Sequence, residues 1–237
     1  MKFTLIKIKK MISTKDLKSS EGTSLPKVIG PGNVEVKINS ITLEAPVYDK
    51  NAYNLVMSVE TRPIDGFEGF YINKDNPELG RHLGQVGKVK TSEYAYKDGT
   101  TKTGISVSRD MDVLKALQNI CRVVDKLNWM EDNDSKHETI EDYVTAFNSD
   151  APFKDVFVRM CVGGKEYQNR EGYTNFDLFL VRNQRGSYNM ENANVADSKL
   201  IKFDSDLHIK KKKVENVDSF GSGNVATSSS VGSDFEL

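Results

Sequence analysis

The chain has 237 residues, 38% of them hydrophobic, and a formal net charge of −1. That length suits one domain with appendages or two small domains, and it can bury a sizeable core. Because the overall charge is close to zero, a chain-wide positive field is excluded, so any nucleic-acid site must be a local patch. No stretch reaches the length of a membrane span, and no contact with a membrane is predicted.

Residues 1–30 are predicted to form a basic N-terminal arm that is solvated and disordered, although such an arm can also touch phosphates. Its apolar stretch is too short and too interrupted by lysines for a signal peptide, so an intracellular protein is expected. A further hypothesis is that translation starts at Met11 instead of Met1; the sequence does not decide between them. The arm's lysines are Lys2, Lys7, Lys9, Lys10, Lys15 and Lys18.

The few cysteines and histidines argue against a disulfide framework or a metal site. Cys121 and Cys161 fall in a predicted helix and a predicted strand, so both are expected to be buried free thiols. The histidines are far apart without ligand spacing. Neither a metal nor another cofactor is predicted.

Alternating patterns predict three strand regions in the first half of the chain. Residues 34–38 and 53–60 alternate apolar and polar side chains, as expected for an antiparallel hairpin. A third strand region runs from Gln85 to about Tyr96. One face of this region carries basic and aromatic side chains: Lys88, Lys90, Tyr94 and Tyr96.

Two helices and two further strands follow. Apolar residues at spacings of three and four predict a helix from Ser108 or Asp110 to about Leu127, and a second helix spans about 138–148. Residues 155–182 read as two strands joined by a polar loop. This order predicts a mainly β protein with a helical insert, an OB-fold-like five-stranded barrel over 31–182 whose helices lie between the third and fourth strands.

The remaining residues, 183–237, are predicted to be a flexible linker and an acidic tail. They are polar and apolar-poor, contain four consecutive lysines at 210–213, and include the linker-like run GSGNVATSSSVGS. The acidic tip is a predicted partner-binding segment that consists of Asp234, Phe235 and Glu236.

Rings interleaved with cations beside a sheet are typical of a platform for unpaired bases, because rings stack on bases and cations hold phosphates. The alternative for each basic residue is a side chain that is only solvated, and the alternative for each ring is packing over the core. The candidate stacking residues are Tyr94, Tyr96, Phe157, Tyr167 and Tyr173. The candidate phosphate contacts are Lys88, Lys90, Arg159, Lys165 and Arg170.

Four segments within about residues 24–182 carry a resemblance to known proteins: KVIGPGNVEVKINSITLE, INKDNPELGRHLGQVGKVK, APFKDVFVRMCVGGKEY and GYTNFDLFLVR. These segments resemble bacteriophage single-stranded DNA-binding proteins, in particular those of large phages of gut bacteria. The tail shares the resemblance in character only, since Leu237 rather than a phenylalanine is last.

The resemblance implies a protein of the host cytoplasm that coats single-stranded DNA without sequence preference during phage replication or recombination. It implies no catalytic centre, and a tail that recruits replication or recombination proteins. A homodimer, the number of nucleotides covered and the choice between DNA and RNA stay open.

Two other functions are weighed against strand coating. Glu35-Val36-Lys37 matches half of a metal-dependent nuclease pattern, in which a carboxylate holds the ion and a lysine steadies the attacking water. A structural or packaged virion protein built on the same barrel is the second.

Overall fold

A computed structural model gives the structure of the protein, and it describes residues 28–184 and 186–211. Most of the predicted basic arm and the acidic tip Asp234, Phe235 and Glu236 lie outside these residues.

The described residues form a mainly β structure with a few helices. The strands are β1 (Gly32–Glu44), β2 (Asn54–Thr61), β3 (Phe70–Tyr71), β4 (Arg81–His82), β5 (Val86–Lys90), β6 (Gly99–Thr100), β7 (Ser106–Val107), β8 (Phe157–Gln168), β9 (Thr174–Leu180), β10 (Met190–Asn192) and β11 (Ile209–Lys210). The helices are α1 (Arg109–Val123), α2 (Leu127–Asp132), α3 (Ile140–Asp150) and α4 (Ser205–His208).

Five strands of the main sheet pair in a ring in the order β1-β2-β5-β9-β8 and back to β1. All these pairings are antiparallel except β5 with β9, which is parallel. One face of every ring strand contributes to a single core, with Val36, Met57, Val89, Met160 and Leu178 among its buried members.

A bulge in β1 keeps both of its halves facing that core. The register with β2 shifts between Ile38 and Ser40, so the buried series changes from Val36 and Ile38 to Ile41. Without the extra residue, strict alternation would turn Ile41 to the outer face.

The helices α1, α2 and α3 lie between the third and fourth ring strands, β5 and β8, as predicted. Ser108 and Thr139 cap α1 and α3, since their side chains accept hydrogen bonds from the backbone N–H groups of Met111 and Asp142. The apolar stripe of α1 is buried in the main core, together with Phe147 of α3. No helix within the described residues is long and apolar enough to cross a membrane.

Both cysteines are free and buried, as predicted. Burial disfavours the thiolate and raises the pKa of Cys121 and of Cys161 to about 11. Cys121 belongs to the main core, whereas Cys161 points to the opposite side of β8 and packs with Val181 and Ile201.

The segment 186–211 differs from the flexible linker that its composition predicts. Its β10 pairs antiparallel with Met160, Arg159 and Val158 of β8, and its β11 pairs parallel with Gly164 and Lys165. Met190 and Ile201 are the buried apolar side chains of this segment, and polar contacts supply the rest of the interactions that hold it on β8. Residues 186–211 therefore belong to the folded structure, whereas the predicted domain ended at residue 182.

Glu60, in β2, forms hydrogen bonds that stabilise the connection between β2 and β5. Its carboxylate accepts hydrogen bonds from the backbone N–H groups of Leu83 and Gly84, and it lies 3.0 Å from Nδ1 of His82 and 3.6 Å from Nζ of Lys37. Burial alone raises the pKa of Glu60, but the hydrogen bonds of His82 and Asn39 and the charge of Lys37 outweigh it and lower that pKa.

Candidate nucleic-acid interface

A cleft of about 540 Å³ opens between β5 and the β8–β9 hairpin. β5 and β9 pair only at Val89–Leu178 and Lys90–Phe179, so the strands separate upstream of these pairs. Lys88 lines one wall and Lys165 and Tyr167 line the other. Three of the predicted interface residues, far apart in sequence, are therefore brought together around one cleft.

The lysines at the cleft are partly paired with carboxylates. Nζ of Lys88 lies 2.8 Å from Glu44, and Nζ of Lys90 lies 2.5 Å from Asp177. The Lys88–Glu44 pair is solvent-exposed, and such pairs contribute only about 0–1 kcal/mol, so an incoming phosphate can replace Glu44 at little cost. The Lys90 side chain is largely buried, so the same does not hold for Lys90 and Asp177. Lys165 is exposed and makes no ion pair with any residue in the described part of the chain.

Asn169 organises the turn of the β8–β9 hairpin beyond the cleft. Its side-chain oxygen accepts hydrogen bonds from the backbone N–H groups of Glu171 and Tyr173, and Gly172 takes the positive φ of 84° that the turn requires. Tyr173 is left 67% exposed and Tyr167 47% exposed, and Arg170 is also exposed. The hairpin thus presents two rings and a guanidinium to solvent.

The basic and aromatic face predicted for the third strand region is divided between solvent and core. Tyr94 is 74% exposed, whereas Tyr96 packs against the core and its hydroxyl lies 3.0 Å from that of Thr91. Burial raises the pKa of Tyr96 despite this hydrogen bond. The alternation assumed from Lys88 to Tyr96 fails because β5 ends at Lys90 and the chain then bends.

Phe157 and Arg159 lie on the outer face of β8 but far from the cleft. Eight residues separate Phe157 from Lys165, which corresponds to roughly 26 Å along a strand. The guanidinium of Arg62 sits 4.1 Å from the centre of the Phe157 ring. Phe157 and Arg159 are both half-buried, so this end of β8 is not the open platform that its sequence suggests.

Arg159 is occupied by the segment that follows β9. Its guanidinium donates hydrogen bonds to the backbone carbonyls of Ala193 and Val195, and its Nε lies 3.4 Å from the buried carboxylate of Glu191. In the described residues this arginine holds β10 and its flank onto β8.

An exposed ring that the sequence reasoning missed lies in the loop between β1 and β2. Tyr48 is 83% exposed, and the neighbouring Val47 is fully exposed. The loop starts after Glu44, whose carboxylate contacts Lys88, so it begins beside the cleft. The available signal was an aromatic–aliphatic pair in a turn otherwise made of polar residues.

The geometry around Glu35 gives the nuclease pattern no metal partners. Its carboxylate contacts the guanidinium of Arg62, and its β-sheet neighbour on β8 is Arg159. Over 28–184 and 186–211, no group of three or more histidine, cysteine, aspartate or glutamate side chains could hold a metal ion.

In comparisons with protein-family models, with curated proteins and with solved structures, none matches this chain. The geometry of the ring and its cleft is therefore what indicates a function for this chain.

Proposed function

We propose that the protein binds single-stranded DNA without sequence preference, and that it coats and protects this DNA in phage replication or recombination. The observation that carries the proposal is the cleft that gathers Lys88, Lys165 and Tyr167 beside the exposed hairpin tip. Sequence-tolerant single-strand binders combine a positively charged groove with neighbouring rings. The cleft supplies Lys88, Lys165 and Tyr167, and it is also lined by the carboxylates of Glu166 and Asp177, of which Asp177 pairs with Lys90.

The fold we propose is an OB-fold. In such a fold five strands close on themselves, a helix follows the third strand, and oligonucleotides bind on the face of strands two and three between the first and last loops. Here β2 and β5 are the second and third strands of the ring. The cleft borders that face, and Tyr48 and Tyr173 lie in the two corresponding loops, which supports the assignment.

The charge distribution favours a local over a global interaction. The described residues contain 23 lysines and arginines against 28 acids, and the stretch 109–155 alone holds 11 of these acids against six basic residues. The helical insert would therefore repel a nucleic acid. At the cleft, Lys88, Lys90 and Lys165 balance the acids Glu44, Glu166 and Asp177, and Lys165, which has no ion pair within the described residues, would attract a phosphate locally.

The wider role belongs to the same proposal. We expect a non-enzymatic protein of the host cytoplasm whose acidic tip, Asp234 to Glu236, recruits replication or recombination proteins. These residues lie outside the described ranges, so their part in the proposal is supported by the sequence alone.

The test is a titration with oligo-dT at several salt concentrations, followed by fluorescence anisotropy. Affinity should fall steeply with salt, and Lys165→Ala should reduce the slope of log K against log salt by about 0.7, the value for one phosphate contact on a single strand. Lys136→Ala, a change of the same charge in the exposed part of the helical insert, is the control. No oligo-dT binding by the wild-type protein would refute the proposal.

A further inference from the structure

A second basic segment lies next to Lys165, at the edge of the cleft, because β11 pairs with β8. The register places Lys210 directly beside Lys165, although 45 residues separate them in sequence. Side chains of such neighbours leave the sheet on the same face. Both lysines are exposed, and the next residue, Lys211, is exposed too.

Two lysines side by side on adjacent strands repel each other, and like charges in this relation destabilise a sheet. Neither Lys165 nor Lys210 forms an ion pair with a residue in the described ranges. Within the described residues, the ammonium group of Lys210 donates one hydrogen bond, of 3.4 Å, to the backbone carbonyl of Leu207. A bound anion would relieve this repulsion.

The strand registers align these lysines with the cleft. Asp177 of β9 lies opposite Lys165 of β8, and Lys165 lies beside Lys210 of β11. The parallel register of β5 with β9, continued by one residue, brings Lys88 level with Asp177. Lys88, Lys165 and Lys210 therefore form a line across four strands, which we call the lysine row.

We propose that the lysine row is one continuous phosphate-binding path, so that single-stranded DNA leaves the cleft over Lys165 and continues across β11 at Lys210 and Lys211. From Asp177 through Lys165 to Lys210 the row crosses two strand spacings, roughly 10 Å, and Lys88 lies on the other side of the cleft, where β5 and β9 separate. Asp177, the acid within the row, already pairs with Lys90. The sugar-phosphate backbone of the DNA therefore runs across the β-strands instead of along them. This inference rests on the proposed function and adds a site from the C-terminal segment to it.

The experiment compares full-length Lys210→Ala/Lys211→Ala with Lys199→Ala/Lys202→Ala. Both double variants remove two exposed lysines from the same segment, but only the first changes the proposed path. Oligo-dT affinity of the first variant should fall roughly three- to tenfold at moderate salt, and its salt slope should shrink by about 1.4 for two lost contacts. The second variant should keep the wild-type affinity and slope.

A thermal melt without DNA separates binding from folding. Because Lys210 is repelled by Lys165, Lys210→Ala should leave the Tm unchanged or raise it slightly. If the wild-type protein binds oligo-dT but both double variants bind equally well, the path over β11 is wrong while the proposed function stands. If the wild-type protein does not bind oligo-dT at all, the proposed function itself fails.

Discussion

The two ends of β8 carry the same kinds of side chain on the same face but have opposite surroundings. At the first end, Phe157, Arg159 and Cys161 are covered by Arg62 and by the segment 186–211. At the other end, Lys165 and Tyr167 face the cleft and solvent. The alternation of a strand therefore determines which side chains share a face, but not what covers that face.

The largest expected effect comes from the covered end. Arg159→Ala removes the partner of the buried Glu191 carboxylate and two hydrogen bonds to the 193–195 backbone, so it should lower the free energy of unfolding by about 3 kcal/mol. Lys165→Ala, the same kind of change on the same face of the same strand, should alter it by no more than about 0.5 kcal/mol. Urea unfolding measures both.

Equal stability of the two variants, combined with an equal loss of DNA affinity, would show that both ends act as one open surface. That result would contradict the distinction between a covered and an open end of β8.

The second effect concerns the junction between the two ends, where β11 joins β8. A Cβ atom added at Gly163 would lie 2.8 Å from the Phe179 ring and 2.9 Å from the backbone oxygen of His208. Gly163→Ala should therefore push β11 outward and cost about 2 kcal/mol of stability. Gly99→Ala is the control, because a Cβ at Gly99 meets no atom within 4 Å.

Hydrogen exchange of the β11 amides would locate the damage from Gly163→Ala. A variant that keeps wild-type stability and wild-type exchange would mean that β11 does not lie tightly on β8.

The third effect belongs to the open end. Tyr167→Ala should weaken oligo-dT binding by about 1–2 kcal/mol, roughly 5- to 30-fold, while the Tm stays within a few degrees. Tyr96→Ala is the contrasting variant, because that ring packs against the core and its loss should lower the Tm. A Tyr167→Ala protein with normal affinity and reduced stability would place this ring among the structural residues.

The smallest effect is the pH dependence of the cluster around Glu60, whose neighbour Lys37 pairs with Phe157 at the covered end. The folded-state pKa of Glu60 is lowered, so its contribution to stability is complete above the unfolded pKa of about 4.3 and is lost as the pH falls through the folded-state pKa. Glu60→Gln should therefore show a shallower loss of unfolding free energy between about pH 5 and pH 3.

Denaturant titrations at several pH values measure this slope. Parallel profiles for the wild type and Glu60→Gln would contradict a lowered pKa for Glu60 in the folded protein.

Local patterns in the sequence were enough to predict the β1–β2 hairpin, α1, the hairpin over 155–182 and the place of the helices between the third and fourth ring strands. They left the cap of α1 open between Ser108 and Asp110, and the structure shows Ser108. These features depend on periodicity and capping, which neighbouring residues determine. The sequence alone also indicated two buried free thiols. That Lys88, Lys165 and Tyr167 contact a nucleic acid stays a prediction.

Tertiary contacts alone decided which of the candidate residues are open to solvent. The guanidinium of Arg159 donates hydrogen bonds to backbone carbonyls 34 and 36 residues away in sequence. Tyr96 turns inward after β5 ends, and Lys210 is brought beside Lys165 by a strand of two residues. The segment 186–211 has too few apolar residues to show a periodic pattern, and its order comes from pairing with β8. Such long-range pairing has no local signature, because the energy that holds the segment lies in groups that are distant along the chain.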